Sequence, residues 1–174
     1  DAARISVSRR GPMGARAELL ALVGGLGLRE VAAAANAIPA LRLKMAEGWH
    51  TYWQNPGDSG LPTTLTWKLP PGVTTGPIQW PAPEALPAGP LVNFGYEREV
   101  LLLTEVKVPR DAPIGESLAL GAKAEWLVCK ETCIPEDVQL DLVLPVAERA
   151  DPYPQWGKAI AATREAEFQR NEAQ

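Results

Sequence analysis

The chain has 174 residues, 46% of them apolar, enough for one ordinary domain with a core of its own. Its 17 Lys and Arg against 21 Asp and Glu give a net charge of −4, which offers no footprint for nucleic acid and no basic patch for an anionic membrane surface. No stretch approaches the ~20 apolar residues that span a bilayer, so direct membrane insertion is not expected.

Residues 1–14 are polar and read as a flexible N-terminal segment, or as residues foreign to the natural chain around Arg9-Arg10-Gly11-Pro12-Met13. They do not show a charged start followed by an apolar run and a small-residue cleavage site. Residues 15–150 form the expected domain. Ala15 to Val23 suits a strand or a helix, and Gly24-Gly25-Leu26-Gly27 interrupts it. Leu28 to Ala37 is Ala-rich and tolerates a helix, which Pro39 would break.

From Ala40 to Met45 apolar and charged residues alternate, the period of a half-buried strand. Gly48 to Trp53 holds three aromatic residues and the single histidine, His50. Asn55-Pro56-Gly57-Asp58-Ser59-Gly60 is dense turn chemistry. Thr63 to Leu69 alternates again, with Leu65, Trp67 and Leu69 on one face. Ile78 to Trp80 is a short strand before a Pro-rich loop, 81–90, that extends into Asn93-Phe94-Gly95-Tyr96-Glu97. Strands follow at Glu99 to Val108, Ser117 to Val128 and Val138 to Val146.

Short strands punctuated by 17 Pro and 15 Gly argue for an all-β sandwich. The tail, 151–174, differs: Trp156, Ile160 and Phe168 fall on one face of a breaker-free segment and predict a C-terminal amphipathic helix.

The two cysteines, Cys129 and Cys133, are four residues apart. On a regular strand that spacing spans roughly 13 Å, and a disulfide tolerates only about 4.4–6.8 Å between Cα atoms. If the pair bonds, Lys130-Glu131-Thr132 must turn, bulge or make one helical turn. A ring of about five residues restrains the unfolded chain by only roughly 2 kcal/mol, so it is a poor staple. It is a sensible redox pair, because the resolving thiol stays beside the attacking one. A buried local clip, two reduced core cysteines, and a copper(I) site built on the two thiolates with or without His50 are the competing readings. Structural zinc wants four ligands, which one distant His50 does not complete.

His50, Tyr52 and Trp53 are either core packing or a wall around a reactive thiol, and a cationic imidazole beside a thiol would favour the thiolate. Asn93, Phe94 and Tyr96 are either a lid or a plug into the core. Glu125, Glu131, Glu136 and Asp137 surround the cysteines with acid, which works against a thiolate, while Lys130 works for it.

Three segments together resemble one family. They are Gly48-Trp49-His50-Thr51-Tyr52-Trp53-Gln54-Asn55-Pro56-Gly57-Asp58-Ser59-Gly60-Leu61-Pro62-Thr63, then Ile78 to Glu84 with Gly89 to Glu97, then Trp126-Leu127-Val128-Cys129-Lys130-Glu131-Thr132-Cys133-Ile134-Pro135-Glu136. They are similar to the N-terminal periplasmic domain of the DsbD-like thiol:disulfide interchange proteins, in particular the ScsB, suppressor-of-copper-sensitivity, branch. The resemblance spans about residues 48–137.

It implies an immunoglobulin-like β-sandwich acting as a protein-disulfide reductase domain in the periplasm, with no organic cofactor and no metal. Its partners would be the membrane-embedded domain of the same parent protein and oxidised thioredoxin-fold proteins. Cys129 and Cys133 would be the redox pair, with Cys133 forming the mixed disulfide and Cys129 resolving it. The cysteines of the better-known DsbD members are spaced more widely than here. The segment Asn93 to Glu97 would be the cap that shields the sulfurs, with Phe94 and Tyr96 as the covering rings.

Overall fold

A computed structural model describes residues 4–5, 15–22, 35–109, 111–113 and 115–146. Among them every regular element is a strand. One sheet holds β2 (Ala15–Leu22), β3 (Ala35–Met45), β9 (Glu99–Val108) and β6 (Thr74–Gln79), in the order β2-β3-β9-β6. The other holds β1 (Arg4–Ile5), β11 (Cys133–Pro145), β10 (Ser117–Cys129), β4 (His50–Gly57), β8 (Leu91–Glu97) and β7 (Glu84–Ala88) in that order, with β5 (Thr64–Lys68) also paired to β10.

Period-2 patterning explains how the two sheets meet. On β10 the even-numbered residues Leu120, Ala122, Ala124, Trp126 and Val128 are buried, while Glu125 between them is exposed. They share one core cluster with Leu41, Leu43, Leu102 and Val106 of the smaller sheet. Each fully buried Leu or Val contributes roughly 1.5–3 kcal/mol relative to exposure, so this shared layer fixes which face of each sheet turns inward. The arrangement is a sandwich with alternating inward residues.

Several segments differ from the sequence expectation for identifiable reasons. The predicted Pro-rich loop over 81–97 is a hairpin, with pairing from Glu84↔Gly95 to Ala88↔Leu91. Gly89 adopts φ of 63° at the first central position of a two-residue turn, as a type II′ hairpin requires. β7 is an edge strand, where a proline such as Pro87 is tolerated.

Pro39 does not end its segment. It lies buried inside β3, paired with Ala21, and Ala35 to Ala37, read as helix-tolerant, already belong to that strand. Pairing with β9 passes from Ala37↔Val106 to Ala40↔Leu103 without bridging at Ile38 or Pro39; proline has no N–H to give that ladder. Arg4 and Ile5, placed in the flexible segment by sequence, pair with Val143 and Leu142. The expected C-terminal helix over 151–174 lies outside the described residues.

One glycine controls how closely β4 and β8 approach. A Cβ at Gly95 would collide with the carbonyl oxygen of Thr51, which is backbone and cannot step aside. Gly95→Ala should therefore lower stability by about 2 kcal/mol or more, read as a lower urea midpoint. An unchanged midpoint would show that the two strands are not held this close.

Candidate functional site

β10 and β11 pair without interruption from Ser117↔Pro145 to Cys129↔Cys133. Lys130, Glu131 and Thr132 close the hairpin, with the Lys130 N–H donating to the Thr132 carbonyl at 3.1 Å. Of the turn, bulge or helical turn that a bond between the cysteines would need, the chain makes a turn, the tip of a hairpin. It sets the two residues directly opposite one another, 4.1 Å apart at Cα, and they form a disulfide. The two ends are unequal: Cys129 is 2% exposed, whereas Cys133 lies open to solvent.

Directly opposed residues of an antiparallel pair put their side chains on the same face. Cys129 opposes both Cys133 and His50, His50 opposes Glu97, and Tyr52 opposes Gly95. The sulfurs, His50, Tyr52 and Glu97 therefore share the outer face of the larger sheet. Thr51 points the other way and is fully buried; its Oγ1 donates to the Leu127 carbonyl at 3.0 Å and ties β4 to β10.

Strand alternation divides the predicted site residues. His50 and Tyr52 stand with the sulfurs. His50 Nε2 is 3.2 Å from Tyr52 Oη, and the two rings meet edge to face at 5.2 Å. Tyr52 Oη is in turn 3.9 Å from Cys133 Sγ.

Trp53, Phe94 and Tyr96 lie on the core side. Trp53 and Phe94 pack edge to face at 6.4 Å. Tyr96 belongs to the core cluster, and its hydroxyl donates to the Pro81 carbonyl at 2.8 Å. In this structure Phe94 and Tyr96 do not cover the sulfurs, because each is one residue out of phase with Gly95 and Glu97 on the sulfur face.

Cover over Tyr52 comes from a segment that the sequence reading took only for a turn. Tyr52 is 2% exposed, and the Gly60 backbone presses on its ring so closely that a Cβ there would stand 2.5 Å from Cε1 and Cζ. Gly57 and Gly60, with φ of 88° and 92°, bend the chain into that position. Two ties hold the bend to β8. The Val92 N–H donates to Asp58 Oδ2 at 2.8 Å, and the Ser59 N–H donates to Asn93 Oδ1 at 2.9 Å. Asn93, expected in the cap, is thus the buried anchor of the covering turn. Two glycines bracketing Asp-Ser, directly after an aromatic cluster, were the available signal.

The acids around the cysteines have separate roles. Glu136 is buried and accepts from Trp126 Nε1 at 3.0 Å. Glu125 pairs with Lys123 at 2.9 Å on the surface, an exposed contact of little energetic weight. Glu131 and Asp137 are solvated. Among the described residues no three His, Cys, Asp or Glu side chains are grouped to hold a metal ion. A cleft of about 170 Å³, lined by His50, Glu84, Leu86, Asn93 and Glu97 among others, opens beside the site.

The comparisons with known proteins bear on this hairpin-tip cysteine pair through the family they identify. The family described as "Thiol:disulfide interchange protein DsbD, N-terminal" matches residues 29–145. The chain belongs to this family. Among solved structures it is similar to the N-terminal periplasmic domain of ScsB from Proteus mirabilis, at 22% identity and a TM-score of 0.56, over 83% of this chain and 58% of that one. The reduced N-terminal domain of Neisseria meningitidis DsbD aligns at 15% identity and a TM-score of 0.45, over 79% of this chain and 90% of that one. At such identities the likeness to the ScsB domain is one of fold. No curated protein sequence matches. The DsbD_N match takes in β3 to β11, and so includes both cysteines, His50 and Tyr52.

Burial lowers the His50 imidazole below its ordinary 6.5, with Glu97 pulling weakly the other way, and burial raises the Tyr52 phenol above 10.0. Folding therefore favours neutral His50, and as pH falls the unfolded chain takes up that proton first. The His50 contribution to stability is whole above about pH 6.5 and is lost as pH drops through the folded value. Going from about pH 7.5 to about pH 5.5 should lower the urea midpoint more in the unaltered chain than in His50→Gln. Equal shifts in the two proteins would refute the assignment.

Proposed function

We propose that Cys129 and Cys133 are the dithiol–disulfide couple of a periplasmic thiol–disulfide exchange domain that reduces thioredoxin-fold proteins. The observation that carries this reading is the unequal exposure of two bonded sulfurs at a hairpin tip. Exchange requires a thiolate to approach a sulfur, and only the Cys133 side is open to one. Membership of the DsbD family and kinship with a periplasmic ScsB domain support both the chemistry and the compartment. In this reading the sandwich is immunoglobulin-like.

The step balances as follows. In the reduced domain the Cys133 thiolate attacks the partner disulfide, forming a Cys133–partner bond and releasing one partner thiolate. The Cys129 thiolate then attacks Cys133 Sγ, restoring the Cys129–Cys133 bond and freeing the second partner thiolate. Two electrons leave the domain, and the partner takes up two protons. A membrane-embedded domain of the parent protein resupplies the electrons by the reverse exchange at the same open sulfur.

Trapping tests this order. A thioredoxin-fold protein whose single cysteine is carried as a mixed disulfide with thionitrobenzoate should accumulate a disulfide-linked adduct, releasing thionitrobenzoate, with reduced Cys129→Ser at least ~10-fold faster than with Cys133→Ser, since access governs exchange. The opposite preference would reverse the two roles. No electron transfer from the unaltered reduced domain to any thioredoxin-fold protein, together with tight copper(I) binding by the same thiols, would favour the copper-binding alternative.

A further inference from the structure

The exchange chemistry leaves open how Cys133 loses its proton. Among the described residues the side chain hydrogen-bonded to its sulfur is the uncharged Tyr52. Two side chains on the same face nevertheless form a line ending at this sulfur: Cys133 Sγ to Tyr52 Oη is 3.9 Å, and Tyr52 Oη to His50 Nε2 is 3.2 Å. Tyr52 is held in that line. Its ring is wedged under Gly60, on a turn fastened to β8 through Asn93 and Asp58.

We propose that Tyr52 and His50 form a proton relay that deprotonates Cys133, with Tyr52 as the catalytic group touching the sulfur and His50 as the base acting through it. The proposal rests on reading Cys133 as the attacking cysteine. The Cys133 S–H bond breaks as its proton passes to Tyr52 Oη, and the Tyr52 O–H proton passes to His50 Nε2. The products are a thiolate, an unchanged phenol and an imidazolium. No electrons move and nothing else is consumed.

The surroundings suit each member. A base must be unprotonated at rest, which burial favours by lowering the imidazole, at a cost in basicity that Glu97 partly offsets. A relay hydroxyl must not ionise, and burial holds the phenol protonated. The groups facing His50 are Tyr52 on its own strand, Cys129 on β10, Glu97 on β8 and Glu84 across the cleft on β7. Lys130 lies over Gly48, two residues away. Of these, Glu97 favours the imidazolium once it forms. Sequence placed His50 and Tyr52 in an aromatic cluster; the strand period turns these two, and not Thr51 or Trp53, toward the sulfurs.

The test uses the 174-residue chain with Cys129→Ser, so that Cys133 is the only thiol, and follows its alkylation by iodoacetamide from about pH 5.5 to about pH 9.5. This readout needs no partner protein. A failure of exchange with thioredoxin-fold proteins would sink the proposed function without touching the relay, and the converse also holds. The expected result is that adding Tyr52→Phe or His50→Gln slows alkylation about tenfold near pH 6.5, the change in thiolate fraction for one pKa unit, and by less than about twofold above pH 9. Rates unchanged at pH 6.5 would overturn the relay. So would slowing by one factor at every pH, which marks a purely structural role. Tyr52→Phe keeps the ring under Gly60; should it fail to fold, His50→Gln decides alone.

Discussion

Everything at the site depends on the unbroken pairing of β10 with β11. A strand has a side-chain period of two, so a slip of one residue would exchange its faces. Here a slip would turn Cys129 into the core and put Val128 outside. The register is held because Leu120, Ala122, Ala124, Trp126 and Val128 must all be buried together, and a slip of one residue would expose that set. The core therefore specifies, from a distance, that both sulfurs face outward and oppose one another.

β4 carries the same logic to the second half of the site. It meets β10 at a single bridged pair, Cys129↔His50, reinforced by the Thr51 bond to Leu127. From that one point alternation sorts the residues, with His50 and Tyr52 outward and Thr51 and Trp53 inward. The close approach of β8, which only a residue without a Cβ at position 95 permits, brings Asn93 near enough to anchor the covering turn. Packing on one face and hydrogen bonding on the other are thus set by the same three strands.

Much of this was legible in the chain. The alternation of Ala40 to Met45, Thr63 to Leu69 and Val138 to Val146 announces strands, and a bond between the cysteines would need a turn, a bulge or a helical turn between them. The 81–97 segment was not legible as a hairpin, because prolines argue against strands until one knows that the strand lies at an edge. The direction of each ring was also hidden. Phe94 and Tyr96 look like a lid because they are aromatic and near Gly and Asn, yet their phase relative to Gly95 places them inside. Only the pairing partners fix that phase. Gly57 and Gly60 were read as generic turn residues because the object they wrap, Tyr52, is identified by contact and not by spacing.

The small ring also makes sense as part of a working couple. A disulfide that closes about five residues restrains the unfolded chain by only roughly 2 kcal/mol. The Ser117–Pro145 ladder and the buried Leu120, Leu140 and Leu142 hold the hairpin through contacts other than this bond. A large-ring bond would couple electron transfer to the stability of the whole fold. In the proposed couple this bond would confine the change to two sulfurs and the side chains on their face.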